Sequence, residues 1–256
     1  FMLGVLDRHR DELAVTAPPA TLELARATNQ EFLAQAAARV TISSVTRDGT
    51  KLATDVDVEN LGGHKLPTAY PSRRAWLHVT VTDTNGRTVF ESGRLRGDGS
   101  IEGNDNDADA RTFEHHHTEI HSADDVQIYE PILGTQAGEV TTGLLSATQY
   151  LKDNRLLPRG FDKAKAQPDT AVHGEAAADA DFVGGGDRVH VAVDVGDAPG
   201  PLRIDAELLY QPIGFRWAHN LEAYRSSAEP LRFVGYFDEM ASGTTTRLAA
   251  ATATQR

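Results

Sequence analysis

Three stretches of this chain carry residue types that do chemistry. The first is Gly62-Gly63-His64-Lys65-Leu66-Pro67-Thr68, a short loop that presents a single histidine. Glycine allows close backbone approach, and imidazole serves as a metal ligand or proton carrier near neutral pH. His64 is therefore a candidate ligand-facing residue, the competing reading being an imidazole that anchors its own loop. The second stretch runs from Asp98 to Asp109 and is dense in Asn and Asp. Calcium takes about six to eight oxygen ligands in flexible geometry, which makes Asn104, Asp105, Asn106, Asp107 and Asp109 candidate calcium ligands. The spacing is not that of an EF-hand, and a solvated loop whose Asn and Asp residues cap turns competes with the metal reading. The third stretch is His115-His116-His117 with His121 beyond it and Glu114 and Glu119 alongside. On a helix His117 and His121 share a face, and on a strand His115 and His117 do. His115, His117 and His121 are thus candidate transition-metal ligands, against the alternative of a surface histidine cluster.

Other chemistries are missing their residues. The chain has no cysteine, which removes disulfides, thiol nucleophiles and zinc–thiolate centres. His117-Thr118-Glu119-Ile120-His121 is one residue out of step with HExxH, neither Ser72 nor Ser146 lies in GxSxG, and Gly184-Gly185-Gly186 leads to Asp187 rather than to Lys and Ser or Thr. The reading is that this chain alone is not an enzyme. A net charge of −12 argues against nucleic-acid binding, because no basic stripe is present to neutralise phosphates. No apolar run approaches the ~18 residues of a membrane span.

The elements that must position these residues change character along the chain. Residues 1–39 read as a helical pair broken at Thr16-Ala17-Pro18-Pro19, the second helix covering Thr21 to Arg39. From Val40 the period is two. Val40 to Val45 and Lys51 to Glu59 alternate around Asp48-Gly49, and Trp76, His78, Thr80 and Thr82 alternate with Leu77, Val79, Val81 and Asp83 before the Asn85-Gly86 turn. Val126 to Leu133, Gly143 to Tyr150, Val189 to Val195 and Leu202 to Tyr210 read as further strands, residues 158–187 as an irregular connection, and Leu221 to Met240 as mostly helical. The aromatic-rich run Tyr210 to Asn220 is expected to close the core. Arg73, Arg74 and Arg155 are expected to tie loops to carboxylates. Short strands without βαβ spacing predict a mainly β protein. Its expected form is an antiparallel, immunoglobulin-like β-sandwich over residues 40–256, with long loops, an N-terminal helical pair at 1–39 and a C-terminal helical segment.

Gly63-His64-Lys65-Leu66-Pro67-Thr68, Ser72-Arg73-Arg74-Ala75-Trp76-Leu77, Gly103 to Asp109, Gln127-Ile128-Tyr129-Glu130 and Tyr150 to Pro158 occur in this order. Together they resemble the haem-free C-terminal region of bacterial multihaem c-type cytochromes, over roughly residues 60 to 240. Such cytochromes attach haem through Cys-x-x-Cys-His, which this chain lacks, so it carries no covalent haem of its own. The chain opens on Phe1 inside a helical pattern, and residues 1–39 are expected to be the end of a haem-bearing region in a longer protein. The resemblance implies an accessory or interaction domain for electron transfer, in the periplasm or at the cell exterior. Its partners would be the haem c-bearing segment of the same polypeptide and a redox partner protein, with His64 facing haem. Two other classes remain open on the residues alone: a calcium-stabilised adhesion or carbohydrate-binding sandwich, and a metal-dependent enzyme built on the His115–His121 cluster.

Overall fold

The computed structural model describes residues 1–255. Helix α1 (Met2–Arg8) and helix α2 (Pro19–Ala36) come first. Pro19 suits the first turn of α2, where its missing N–H costs no hydrogen bond. The helix stops at Ala36, short of the expected Arg39, because the first strand already pairs from Ala38.

Two sheets form the body. β1 (Ala38–Asp48) and β2 (Lys51–Asn60) make a hairpin through Gly49, whose φ of 58° is the left-handed conformation the turn requires. β3 (Arg74–Thr82) and β4 (Thr88–Ser92) make the second hairpin around Asn85-Gly86. After the short helix α3 (Asp105–Ala108) come β5 (Glu119–Ile120), β6 (Ile128–Tyr129), β7 (Pro131–Gly134), β8 (Val140–Thr141) and β9 (Gln149–Asp153). β10 (Gly186–Asp194) and β11 (Leu202–Gln211) are the late strands, followed by α4 (Phe215–His219), α5 (Ala228–Glu239) and β12 (Thr246–Gln255).

One sheet runs β1-β2-β10-β5, the other β12-β11-β3-β4 with β6 beside β3, and β8-β7-β9 form a small third sheet. Pairing is antiparallel except for the short contact of β5 with β10. Val56, Val58, Val189, Val191 and Val193 from the first sheet join Leu77, Val79, Val81, Ile204 and Leu208 from the second in one buried cluster. The mainly β, antiparallel, sandwich-like class with helices at both ends is therefore observed.

Four local features differ from the sequence pattern. The run Val126 to Leu133 is two short strands interrupted at Glu130, and the strand expected at Gly143 to Tyr150 begins only at Gln149. The Ala- and Thr-rich run Thr246–Gln255 is a full strand on the edge of the second sheet, where pairing with β11 outweighs the weak strand preference of alanine. Trp76, which shares the alternation of His78, Thr80 and Thr82, is completely buried, because the segment after β4 folds over that face and packs Ile101, Val126 and Ile128 against its ring. Its indole N–H donates to Gly93 O at 2.9 Å.

Candidate functional site

The His64 loop is cinched by Asn60, the last residue of β2. Its buried amide donates to His64 O at 2.7 Å and Leu156 O at 3.0 Å, while its Oδ1 accepts from Gly62 N at 2.9 Å. Leu66 and Leu156 exchange backbone hydrogen bonds at 2.9 Å in both directions. The loop is thus fixed at its root, and the His64 side chain is left outside. His64 is exposed, and its ring makes no hydrogen bond among the described residues. Neither Gly62 nor Gly63 has a positive φ, so backbone freedom is not what these glycines provide here; a side chain on Gly63 would meet only open space.

His64 stands between two clefts. One, of about 230 Å³, is walled by Phe32, Leu33 and Ala36 of α2 and floored by Tyr210 and Leu248 of the second sheet. The other, of about 470 Å³, is lined by Lys65, Thr68, Ala69 and Arg155 together with His64. Lys65 Nζ donates to Asp153 Oδ2 at 2.7 Å, and Arg155 grips both oxygens of the same carboxylate at 2.8 and 2.7 Å. Two cations share one anion, so the second cleft keeps a net positive character. Burial holds the Lys65 amine below its ordinary pKa, against the pull of Asp153. Burial raises the Asp153 carboxyl, but Arg155 and Lys65 outweigh it and the net shift is downward. Arg155 thus makes the bidentate carboxylate contact expected of it. Arg73 instead donates to Thr68 O at 3.1 Å.

The side chains of Asn104, Asn106, Asp107 and Asp109 are directed to separate partners. Asn104 caps α3 by accepting from Asn106 N. Asp107 points inward, where both its oxygens meet the Arg74 guanidinium at 2.8 and 2.9 Å and Ile101 N donates to it at 2.7 Å. Asp109 points outward to Arg111, whose guanidinium and backbone N–H hold its carboxyl down at about 2. The backbone N–H of Asp105 donates to Glu114, and the Asn106 amide to Thr112 O.

The histidine run lies outside the named strands and helices, and burial alternates along it: His115 is exposed, His116 buried and His117 half-buried. His115 meets Glu175, His117 meets Glu114, and His121 lies beside Glu119. The three rings do not converge. His116, the member that the sequence reading passed over, is the buried one. Its ring lies within 4.8 Å of carboxylate oxygens of Asp179 and Asp187, a His/Asp/Asp group of metal-ligand type. The one sign of this in the sequence is that a period of two would set His116 on the face opposite His115 and His117.

Hydrogen bonding fixes the state of that group. Gln127 Oε1 accepts from His117 N, which turns the Gln127 amide nitrogen toward His116 Nδ1 at 2.8 Å. Asn154 Oδ1 accepts from Glu130 N, which turns its amide nitrogen to the same Nδ1 at 3.0 Å. Nδ1 therefore accepts hydrogen bonds from both amides, and Nε2 carries the ring proton and donates to Asp179 Oδ2 at 2.9 Å. Burial, opposed by Asp179 and reinforced by Lys152, lowers the His116 pKa to about 4, so the ring is neutral. A cation on Nε2 requires the proton on Nδ1 with an acceptor behind it. The residues here present two donors instead and do not fit a metal at that nitrogen. Asp187 accepts at Oδ2 from Tyr129 OH at 2.8 Å and Gln127 at 3.1 Å, while its Oδ1 has no partner among the described residues. Burial, partly offset by Tyr129 and reinforced by the Asp179 charge, pushes its carboxyl up to about 7.

No protein-family model matches the chain, and no curated protein matches it. Among solved structures it is similar to a penta-haem cytochrome c552 from Thermochromatium tepidum, at 14% identity and a TM-score of 0.48. The match covers 88% of this chain and 41% of that protein, so the chain spans about two fifths of its length. No helix among the described residues is long and apolar enough to cross a membrane.

Proposed function

We propose that this chain is a haem-free docking domain of a multihaem c-type cytochrome, which seats a haem c-bearing segment against the His64 loop. One observation carries the reading: an exposed imidazole free of hydrogen bonds stands between an apolar cleft and a cationic one. A haem presents the complementary pattern, an apolar macrocycle with two carboxylates and an iron that takes imidazole as an axial ligand. The Phe32–Leu248 cleft would receive the macrocycle edge, Lys65 and Arg155 would pair with propionates, and His64 would ligate iron or hydrogen-bond a propionate. With no cysteine in the chain, the haem is brought by another segment, and a redox partner would be met through that segment. Because c-type haem is attached outside the cytoplasm, the domain belongs in the periplasm or at the cell exterior.

The test uses a ferric haem c octapeptide, a soluble haem with one open axial position. Titration of the purified chain is expected to convert its Soret band to the low-spin, two-nitrogen form. His64→Ala should abolish that change while leaving the melting temperature unaltered, since the side chain is exposed. Lys65→Ala or Arg155→Ala should weaken it several-fold. The chain has ten histidines, so a spectral change that persists in His64→Ala refutes the assignment.

A further inference from the structure

At the Tyr70–Ser72 turn lies a third cleft, of about 260 Å³, slightly below the ~300 Å³ at which typical small-molecule sites begin. Its walls include Tyr70, Trp217 and Tyr224, with Ser72, Thr142 and Asn220 supplying polar atoms. The run Tyr210 to Asn220 does not simply close the core: Trp217 is half-buried, and Tyr70 and Tyr224 are 49% and 58% exposed. No charged side chain lines this cleft, in a chain in which 24% of residues are charged.

The aromatic wall is held in shape before any ligand arrives. Tyr70 and Trp217 meet edge to face with centroids 5.6 Å apart. The turn beneath them is pinned by Gly214 N donating to Ser72 O at 2.8 Å and by Ser72 Oγ donating to Pro212 O at 2.9 Å. Asn220 Nδ2 donates to Thr142 Oγ1 at 3.0 Å, which leaves Asn220 Oδ1 as a free acceptor and the Thr142 hydroxyl as a free donor. The Trp217 indole N–H and the hydroxyls of Tyr70 and Tyr224 make no hydrogen bond among the described residues.

We infer that this cleft binds a neutral saccharide ring. A sugar has an apolar C–H face that stacks on aromatic rings and a rim of hydroxyls that both donate and accept. The cleft offers that pairing of exposed rings with uncommitted amide and hydroxyl groups. A charged ligand would lose its hydration here without meeting a counter-charge, and a purely aliphatic one would leave the amide and hydroxyls unpaired. The site shares no lining residue with either cleft at His64, so it stands whether or not haem docks there.

Cellotriose, maltotriose and tri-N-acetylchitotriose, titrated separately up to tens of millimolar, test the inference by calorimetry and tryptophan fluorescence. Trp76, the other of the two tryptophans, is fully buried away from this cleft's lining, so a ligand-induced change in emission reports on Trp217. At least one trisaccharide is expected to bind saturably and shift the emission. Trp217→Ala and Tyr224→Ala should each weaken calorimetric binding by about tenfold or more, and Trp217→Phe should restore part of it. Because Tyr224 is more than half exposed, its variant stays informative even if Trp217→Ala fails to fold. Absence of saturable binding by all three sugars overturns the inference, as does binding that both alanine variants leave intact.

Discussion

Asp187 sits on the inward face of β10 with one oxygen unpartnered, in contact with Tyr129 and Gln127 and close to the Asp179 charge. Its folded pKa of about 7 lies above the ordinary value of 3.8. The folded state therefore holds this proton more tightly than the unfolded chain. The stability it contributes is fully present below the unfolded value and is lost as pH rises through about 7. His116 works in the opposite direction, with a folded pKa of about 4 below the ordinary 6.5. Its contribution is present above 6.5 and is lost as pH falls through about 4. Asp187→Asn keeps an acceptor for Tyr129 and removes the buried charge. It is expected to leave the melting temperature near wild type at pH 5 and to raise it at pH 8, where the ionised carboxylate costs on the order of a few kcal/mol. A variant that melts below wild type at pH 8 would show that the charge is compensated in the native protein.

At the scale of elements, the acidic loop acts as a cover for β3. Arg74 reaches from the strand to Asp107 and also donates from Nε to Gln211 Oε1 at 2.8 Å, joining β3, β11 and α3 in one buried network. Burying such a pair contributes little net stability, but removing one partner strands the other charge. Asp107→Ala is expected to cost about 3–5 kcal/mol in denaturant unfolding, and the double change Asp107→Leu with Arg74→Met should recover much of that loss. A cost below about 1 kcal/mol for Asp107→Ala would mean that the guanidinium finds water. The same loop covers Trp76, so loosening it should also increase indole exposure in fluorescence quenching.

Across the whole molecule, protection follows burial. The strands β2, β3, β10 and β11 share the central core, whereas α2 has one buried residue, Leu22, in its 18. Leu24 and Phe32 of α2 are 68% and 64% exposed. Amide exchange read by mass spectrometry is expected to be orders of magnitude faster in α2 than in those four strands, because helices held by few apolar contacts open locally. Equal protection would make α2 part of the cooperative core. α1 is anchored differently, with Phe1 packed edge-on to Phe237 of α5 and Arg8 paired with Glu239.

The residue order alone determined the antiparallel β class, both long hairpins and the helical ends. Each depends on a local signal: a period of two, an Asp-Gly or Asn-Gly turn, or a helical apolar spacing. Only the tertiary structure decided that β12 is a strand, since its Ala-rich run becomes one through pairing with β11. It also decided which histidine is buried and which three diverge, because the packing of this segment sets His116 in the interior and leaves His115 in solvent. The two clefts at His64 and the aromatic cleft at Trp217 bring together residues from distant parts of the chain. Juxtapositions of that kind follow from how the two sheets and their covering loops pack, and no local sequence pattern encodes them.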